Sequence, residues 1–284
     1  MEEIIKKADV LIEAMPYIRR FRGKTVVIKY GGSVMMNENT RKGILEDIAF
    51  LSYVGIKPVI VHGGGPFISE KIKEQGNQPA FVDGLRVTDE ETITVVEDVL
   101  TTVNRTLVEG LESFGVKAVG YNPEEDHLIR AEKIKTKVDI GYVGRPVSIA
   151  DQVITEQLKQ GFVPVIFSLG MGDDKKVYNI NADEVAAKIA EALKAEKLVL
   201  LTDVTGIMKN KDKEDSVVPS LRVKDVRALI EEGIIVSGMI PKAKAGIEAA
   251  GAGVKKVHII NARTPHSLLL EIFTDKGIGT EIIE

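Results

Sequence analysis

The chain has 284 residues, of which 44% are hydrophobic and 28% charged, and its formal net charge is −4. This composition is typical of a globular protein with one large α/β domain or two smaller lobes. A slightly acidic chain without a basic block gives no reason to expect nucleic acid as a partner. The absence of cysteine excludes disulfide bonds and thiolate chemistry.

No apolar run approaches the roughly 20 residues that a membrane-spanning helix needs, so we expect no membrane association. The first residues are acidic where a secretion signal would be basic. We therefore expect a cytoplasmic protein.

Residues 1–20 predict a helix that lies outside the pattern of the rest of the chain. Its apolar residues Ile4, Ile5, Val10, Leu11 and Met15 form a stripe that something has to cover. The stripe could pack on the body of the same chain or on a neighbouring subunit, and the sequence leaves both alternatives open.

From residue 25 onward, β-branched runs alternate with segments of helical period, which predicts a mainly parallel sheet with helices on both faces. The predicted strands are 25–29, 57–62, 116–120, 162–168, 197–204 and 256–261. The predicted helices are 40–53, 88–114, 182–195, 223–232 and 240–250, and Thr88 with Glu91 would form a capping box for the longest of them. Residues 127–149 alternate and turn like a pair of antiparallel strands.

Glycine-rich turns, "KYGG" and "HGGGP", follow the first two predicted strands. In open α/β sheets, ligands bind beyond the carboxyl ends of the strands. Backbone N–H groups at Gly31, Gly32, Gly64 and Gly65 could hold one anion there, with a helix dipole behind the second turn. The alternative is that these glycines only permit tight turns.

Charged residues flank the same predicted edge of the sheet. Lys29 ends an apolar strand, where an ammonium group is costly to bury. Lys242 falls in the first turn of a helix, where the macrodipole disfavours a cation unless a phosphate is bound. Asp183 could hold both lysines in register, although Asn181 and Glu184 also match a plain helix start.

Arg86 has the planar fork that binds a carboxylate with two hydrogen bonds, and the alternative is a surface ion pair with Asp83 or Asp89. His62 could act as a base, although an orienting or packing role is favoured.

Six motifs, in the order "IKYGG", "VHGGGP", "GLRVTDEE", "NINADEVA", "LLTDVTGI" and "GMIPK", resemble those of the amino acid kinase family. The resemblance runs from about Phe21 to the C-terminus. It implies a three-layer α/β/α sandwich around a central, mainly parallel sheet. It also implies a lobe over 21–180 that binds an amino acid and a lobe over 181–284 that binds ATP. The helix over 1–20 lies outside this resemblance, and we expect it to serve oligomerisation.

The motifs are similar to those of members that phosphorylate the γ-carboxylate of N-acetyl-L-glutamate in arginine biosynthesis. This likeness implies direct in-line transfer from ATP, with Mg²⁺ held mainly through the nucleotide. It implies that Lys29 and Lys242 steady the transferring phosphoryl group and that Asp183 orients them. The implied contacts are Gly64, Gly65, Arg86 and Asn179 for the amino acid, and Gly31, Gly32, Gly64, Thr202, Asp203, Gly206, Gly238, Met239 and Lys242 for ATP.

The N-terminal helix and the last segment resemble those of arginine-inhibited members that form homo-hexamers as trimers of dimers. His258, Glu271 and Gly277 match the residues associated with the arginine site. Some members bind a signalling protein of the PII type, which this sequence leaves undecided. Two other interpretations stay open: a kinase for another amino acid carboxylate, such as a carrier-bound aminoadipate, and a non-catalytic sensor of arginine or a nucleotide.

Overall fold

The computed structural model describes residues 1–210, 216–274 and 277–284. The helices are α1 (Glu2–Phe21), α2 (Gly32–Met35), α3 (Glu38–Tyr53), α4 (Gly65–Glu74), α5 (Glu90–Ser113), α6 (Pro123–Asp126), α7 (Asp151–Lys159), α8 (Ala182–Ala192), α9 (Val223–Glu231), α10 (Met239–Gly251) and α11 (Ser267–Ile272). The strands are β1 (Thr25–Tyr30), β2 (Lys57–His62), β3 (Phe81–Val82), β4 (Leu85–Arg86), β5 (Ala118–Gly120), β6 (Ile129–Lys133), β7 (Val143–Ile149), β8 (Val163–Phe167), β9 (Leu169–Gly172), β10 (Val177–Ile180), β11 (Lys197–Thr202), β12 (Ser220–Arg222), β13 (Lys256–Asn261) and β14 (Thr280–Ile283).

Within these described ranges, the largest sheet has eight strands in the order β12-β14-β13-β11-β1-β2-β8-β5. The strands from β13 to β5 are parallel, whereas β14 and its neighbour β12 run in the opposite direction. Helices cover both faces of the sheet. The prediction of a three-layer sandwich with a mainly parallel sheet is confirmed.

Alternate residues of the central strands enter two separate hydrophobic cores. Val26 and Ile28 pack on the side of α3 and α5, while Val27 and Val59 pack on the side of α8 and α10. Burying one such side chain completely contributes about 1.5–3 kcal/mol. Strands from before and after residue 181 pair within the same sheet. The division of the chain into two lobes at that residue stays a prediction.

The predicted antiparallel pair over 127–149 is confirmed as β6 and β7. These strands close into a small barrel with β9 and β10. The barrel contributes Ile129 and Ile180 to the core on the α8 side. Strand β9 begins at Leu169, just after β8 ends at Phe167, so the barrel lies at the carboxyl end of β8.

The capping box at Thr88 is wrong, because α5 begins one residue later than that cap requires. Asp89 is the N-cap, and its Oδ1 accepts a hydrogen bond of 2.8 Å from the N–H of Thr92. Thr88 is completely buried, and its hydroxyl donates to the carbonyl oxygen of Arg86. Threonine and aspartate are both common N-cap residues. Because Thr88 is buried and bonded to Arg86, Asp89 takes the N-cap position.

Helix α1 contacts the body of the chain mainly at its C-terminal end, where Phe21 is buried. The side chains of Ile5, Val10, Leu11 and Met15 are between 52% and 65% exposed. Ile4 lies outside the side chains that the structure describes. The four described side chains of the stripe are therefore not covered by the chain that carries them. No helix among the described residues has both the length and the apolar character needed to cross a bilayer.

Candidate active site

The carboxyl ends of four parallel strands meet at one edge of the sheet. The register places Tyr30 beside both His62 and Leu201, and His62 beside Phe167. The loops that follow these strands enclose a cavity of about 330 Å³, called here the first cavity. Its lining includes Lys29, Gly31, Gly32, Gly64, Gly65, Arg86, Asn179, Asp183, Thr202, Asp203 and Lys242.

Two lysines from different elements contact one buried carboxylate in the first cavity. Lys29 follows Val27 on the face of β1 that α8 covers, and Asp183 is the second residue of α8. The Nζ atom of Lys29 lies 2.9 Å from Oδ1 of Asp183, and that of Lys242 lies 3.3 Å from Oδ2. Asn181 caps α8 by accepting from the N–H of Asp183, so the cap and the charge cluster coexist.

Burial and charge act in opposite directions on this cluster. Burial lowers the pKa of Lys29, and the charge of Asp183 opposes that effect. Burial also disfavours the ionised form of Asp183, but the charges of Lys29 and Lys242 outweigh it and hold the pKa of this carboxyl below its usual value. Two ammonium groups thus share one carboxylate, and the excess positive charge suits an anionic ligand.

Lys242 lies at the fourth position of α10, directly after Pro241. Its side chain is 17% exposed and reaches back to Asp183. Lys242 is therefore held against the buried carboxylate of Asp183 rather than exposed.

The glycine turns are not explained by backbone conformation alone. Gly31, Gly32, Gly64 and Gly65 all lack a positive φ, so other residues could adopt these backbone angles. A Cβ on Gly32 would lie 2.7 Å from Cδ of Pro66, which means that the two turns pack directly against each other. A Cβ on Gly65 would meet no protein atom within 4 Å and would project into open space beside the first cavity.

Arg86 is buried at the rim of the first cavity, so the alternative of a surface ion pair with Asp83 or Asp89 is wrong. Its Nη2 donates to the carbonyl oxygen of Gly65 at 2.9 Å and to the hydroxyl of Ser69 at 2.7 Å. Burial lowers the pKa of the Arg86 guanidinium. Its Nη1 is buried with no hydrogen-bond partner among the described residues, which leaves a donor free for a ligand carboxylate.

Asn179, on β10, lines the same cavity and donates from Nδ2 to the hydroxyl of Thr88 at 3.2 Å. Since Thr88 also donates to the carbonyl oxygen of Arg86, one buried hydroxyl connects the two residues.

His62 is completely buried, and the packing role favoured by the sequence is confirmed. Its Nδ1 lies 3.1 Å from the carbonyl oxygen of Gly63, and its Nε2 lies 3.0 Å from Nδ2 of Asn104. Burial lowers the pKa of His62 to about 4, so the ring is neutral at pH 7. A neutral ring that donates from Nδ1 and accepts at Nε2 satisfies both contacts. Sequence reasoning missed Asn104, whose only signal was an amide within an otherwise apolar helix face.

A second cavity, of about 310 Å³, adjoins the first and shares Thr202, Asp203 and Lys242 with it. The predicted residues Gly206, Gly238 and Met239 line it as well. Most of its other walls are apolar, formed by Val204, Ile207, Met208 and residues 234–236. Residues 234–236 were missed, although an apolar run between two predicted helices was a usable signal.

The remaining predicted residues form a separate cavity of about 270 Å³, called here the C-terminal cavity. His258 Nδ1 lies 2.6 Å from Oε1 of Glu271, and the N–H of Ile278 donates to Oε2. Burial alone would raise the pKa of Glu271, but the contact with His258 outweighs it and lowers that pKa. Gly277 has a φ of +60°, and a Cβ there would lie 2.9 Å from Oε2 of Glu271.

Residues that the sequence did not indicate complete the C-terminal cavity. Tyr17 and Arg20 of α1 line it, as do Lys197 and Glu281. Their participation depends on contacts between distant parts of the chain, which no local pattern records.

The amino acid kinase family profile matches residues 24–261. Acetylglutamate kinase of Thermoanaerobacter pseudethanolicus is 50% identical over 98% of this chain and 93% of its own. Acetylglutamate kinase of Methanocaldococcus jannaschii is 46% identical over 99% and 98%.

Among solved structures, N-acetylglutamate synthase of Neisseria gonorrhoeae matches with a TM-score of 0.87 and 30% identity in its complex with coenzyme A and N-acetylglutamate. Its complex with coenzyme A and L-arginine matches with a TM-score of 0.84 and 28% identity. The matches cover 98% and 97% of this chain, but only 63% and 65% of the synthase chain.

Replacing Asp183 with asparagine should destabilise the fold, because Lys29 would stay buried beside Lys242 without a countercharge. Breaking a buried ion pair in this way costs about 3–5 kcal/mol. The pKa of Lys29 would then fall further, so the loss should shrink as the pH rises above neutrality and Lys29 deprotonates. Urea unfolding at several pH values measures both effects.

The matched control is Asp173→Asn, which breaks the exposed Arg130–Asp173 pair and should cost much less. Equal losses of unfolding free energy in the two variants would contradict the expectation. So would a loss of unfolding free energy in Asp183→Asn that does not depend on pH.

Proposed function

The chain belongs to the amino acid kinase family and is a phosphotransferase with a carboxyl group as acceptor, and we propose that it transfers the γ-phosphoryl group of ATP to the γ-carboxylate of N-acetyl-L-glutamate in arginine biosynthesis. The observation that carries this proposal is the Lys29–Asp183–Lys242 cluster. It lies where the first and second cavities adjoin, since Lys242 lines both. Positive charge is thus concentrated between a site for a carboxylate and a site for a nucleotide.

In this proposal, the first cavity binds the amino acid. The free donor on Arg86 faces one carboxylate of the substrate, and Asn179 supplies a further polar contact. The open space beside Gly65 lets the ligand approach the backbone closely. The substrate γ-carboxylate is ionised at neutral pH, so it attacks without a general base, which agrees with a neutral, buried His62.

The second cavity suits a nucleotide, because its apolar walls match an adenine ring and its end at Lys242 faces the first cavity. ATP supplies the phosphoryl group. Lys29 and Lys242 neutralise charge on that group during transfer, and the N–H groups at Gly32 and Gly64 donate hydrogen bonds to its oxygens. Asp183 keeps both ammonium groups in place, so the chain contributes mainly positioning and electrostatics.

No group of three or more histidine, aspartate or glutamate side chains in the described part of the chain could hold a metal ion. Two carboxylates, Asp183 and Asp203, line the first cavity, and Asp183 is engaged by two lysines. We propose that Mg²⁺ arrives with ATP and is held mainly through its phosphates. We keep the two proposed lobes, 21–180 for the amino acid and 181–284 for ATP; the lining of the second cavity lies within the latter, whereas the first cavity takes residues from both.

We further propose that the C-terminal cavity binds arginine as a feedback inhibitor. Glu271 and Glu281 are carboxylates that a guanidinium or an α-amino group can bind. The synthase of Neisseria gonorrhoeae, which has been crystallised with L-arginine, lends support by similarity.

Assembly through α1 as a homo-hexamer, a trimer of dimers, belongs to the same proposal. The uncovered apolar side chains of α1 require a partner surface, and a second copy of the chain supplies one. Because Tyr17 and Arg20 line the C-terminal cavity, assembly and inhibition would involve the same helix.

The substrate proposal predicts that ATP, Mg²⁺ and N-acetylglutamate yield an acyl phosphate, which hydroxylamine traps as a hydroxamate. Removing one charge that stabilises the transferring group typically costs 10²–10³ in kcat. We therefore expect Lys29→Met to lower kcat by at least about 100-fold. Lys71→Met, which changes an exposed lysine paired with Glu74, is the control and should not change the rate.

Aminoadipate, aspartate and glutamate derivatives belong in the same assay. Faster turnover of one of them than of N-acetylglutamate would reassign the substrate. ATP binding without any hydroxamate, together with a Lys29→Met variant that retains its biological role, would favour a sensor.

The inhibition proposal predicts that Glu271→Gln weakens inhibition by arginine, because the substitution keeps the shape of the side chain and removes its charge. A charge-assisted hydrogen bond contributes about 1.5–3 kcal/mol, so the half-inhibitory concentration should rise by about 10- to 150-fold. Each variant is compared with its own rate in the absence of arginine. Glu112→Gln, on the exposed face of α5, should leave the arginine response as it is, and an equal shift in both variants would argue against this site.

The assembly proposal predicts that Leu11→Glu reduces the oligomer to smaller units, because a carboxylate in an apolar contact is costly. Size-exclusion chromatography with light scattering measures the mass. Glu13→Gln on the same helix adds no charge and should keep the mass of the wild type. An unchanged mass for Leu11→Glu would remove α1 from the interface.

A further inference from the structure

Strand β14 runs between β12 and β13 and has two different faces. Thr280 and Ile282 are completely buried, whereas Glu281 lies on the other face and lines the C-terminal cavity. The register pairs Glu281 with His258 and Thr280 with Ile259. Neighbouring residues of one short strand are therefore directed to different parts of the molecule.

The buried hydroxyl of Thr280 holds the segment that forms one wall of the second cavity. Its Oγ1 accepts a hydrogen bond of 2.8 Å from the N–H of Ile207. Gly206 has a φ of +152°, and a Cβ there would lie 2.6 Å from the same oxygen. Gly206 and Ile207 both line the second cavity, but Thr280 does not. Thr280 thus acts on that cavity only through the backbone of residues 206 and 207.

On the opposite face, Glu281 is held by groups of the C-terminal cavity. Its carboxylate forms an ion pair with Lys256 and accepts a hydrogen bond of 3.1 Å from the hydroxyl of Ser220. A cationic ligand in the C-terminal cavity would compete with Lys256 for this carboxylate. A shift of Glu281 then displaces Thr280, because the two residues are adjacent in one strand and the surrounding core is close-packed.

We propose that Thr280 is a positioning residue for the nucleotide, and that β14 connects the C-terminal cavity to the second cavity through the Thr280–Ile207 hydrogen bond. This inference rests on the proposed function, since it takes ATP as the ligand of one cavity and arginine as the ligand of the other. Occupation of the C-terminal cavity displaces the wall at Gly206 and Ile207 and weakens nucleotide binding. By linkage, ATP weakens arginine binding by the same factor.

The first experiment measures ATP binding and steady-state kinetics in Thr280→Val, which removes the hydroxyl and keeps the shape. Thr280→Ser, which keeps the hydroxyl, is the matched control. We expect the Kd and KM for ATP to rise about three- to tenfold in the valine variant, since it leaves a buried N–H without its acceptor. The KM for N-acetylglutamate should change by less than about twofold, and the serine variant should resemble the wild type.

The second experiment uses the unmodified protein, so it does not depend on the folding of any variant. Equilibrium titrations measure the Kd for ATP with and without arginine, and the Kd for arginine with and without ATP. We expect equal, reciprocal factors of about fivefold or more. Arginine should also speed amide hydrogen exchange at residues 203–208. The Thr280→Val variant should still bind arginine, but arginine should change its Kd for ATP by a smaller factor.

An unchanged Kd for ATP in Thr280→Val, or a KM for N-acetylglutamate that rises in parallel, would overturn the positioning role. Arginine that binds without changing the Kd for ATP, or that changes it equally in both Thr280 variants, would overturn the connection through β14. These titrations do not depend on which carboxylate is phosphorylated. A failed hydroxamate assay would refute the proposed substrate while leaving these readouts intact.

Discussion

The contact of Lys29 and Lys242 with the buried carboxylate of Asp183 is the interaction on which the arrangement of the site depends. The three charges come from β1, α8 and α10, which are far apart along the chain. They meet because α8 covers the face of β1 from which Lys29 projects and because α10 packs against α8. Each lysine alone would be costly to bury, and the shared carboxylate reduces that cost for both.

A buried cluster of this kind gives little net stability, because desolvation offsets most of the attraction between the charges. Apolar residues of similar volume would serve the core at least as well. Gly65 points in the same direction, because its backbone angles do not require glycine and a side chain there would project into the open space beside the first cavity. The sheet edge therefore gives up packing and stability in order to bring charges and N–H groups near a ligand.

The central strands were predictable because apolar β-branched runs stand between turn residues, and β2 and β13 match the predicted ranges to the residue. Lys29, Asp183 and Arg86 could be selected because charged residues at strand and helix ends are hard to explain otherwise. The short strands β9, β12 and β14 were not predicted, since three or four residues carry no clear period. Thr280, Asn104 and Lys197 were missed because their roles arise from contacts between distant parts of the chain. The cap of α5 was assigned wrongly for a related reason, since only the tertiary structure decides that Thr88 is buried and that Asp89 caps the helix.

The contact between His62 and Asn104 has a consequence for how the turn after β2 responds to acid. With its pKa lowered to about 4, the imidazole keeps a single protonation state at any pH well above that value. We therefore expect the loop that begins at Gly63 to keep its conformation under moderate acidification, whereas an ordinary surface histidine would become charged. Histidine here serves as a rigid spacer between a carbonyl oxygen and an amide, so sensitivity of the reaction to mild acid has to originate in other groups or in the ligands themselves.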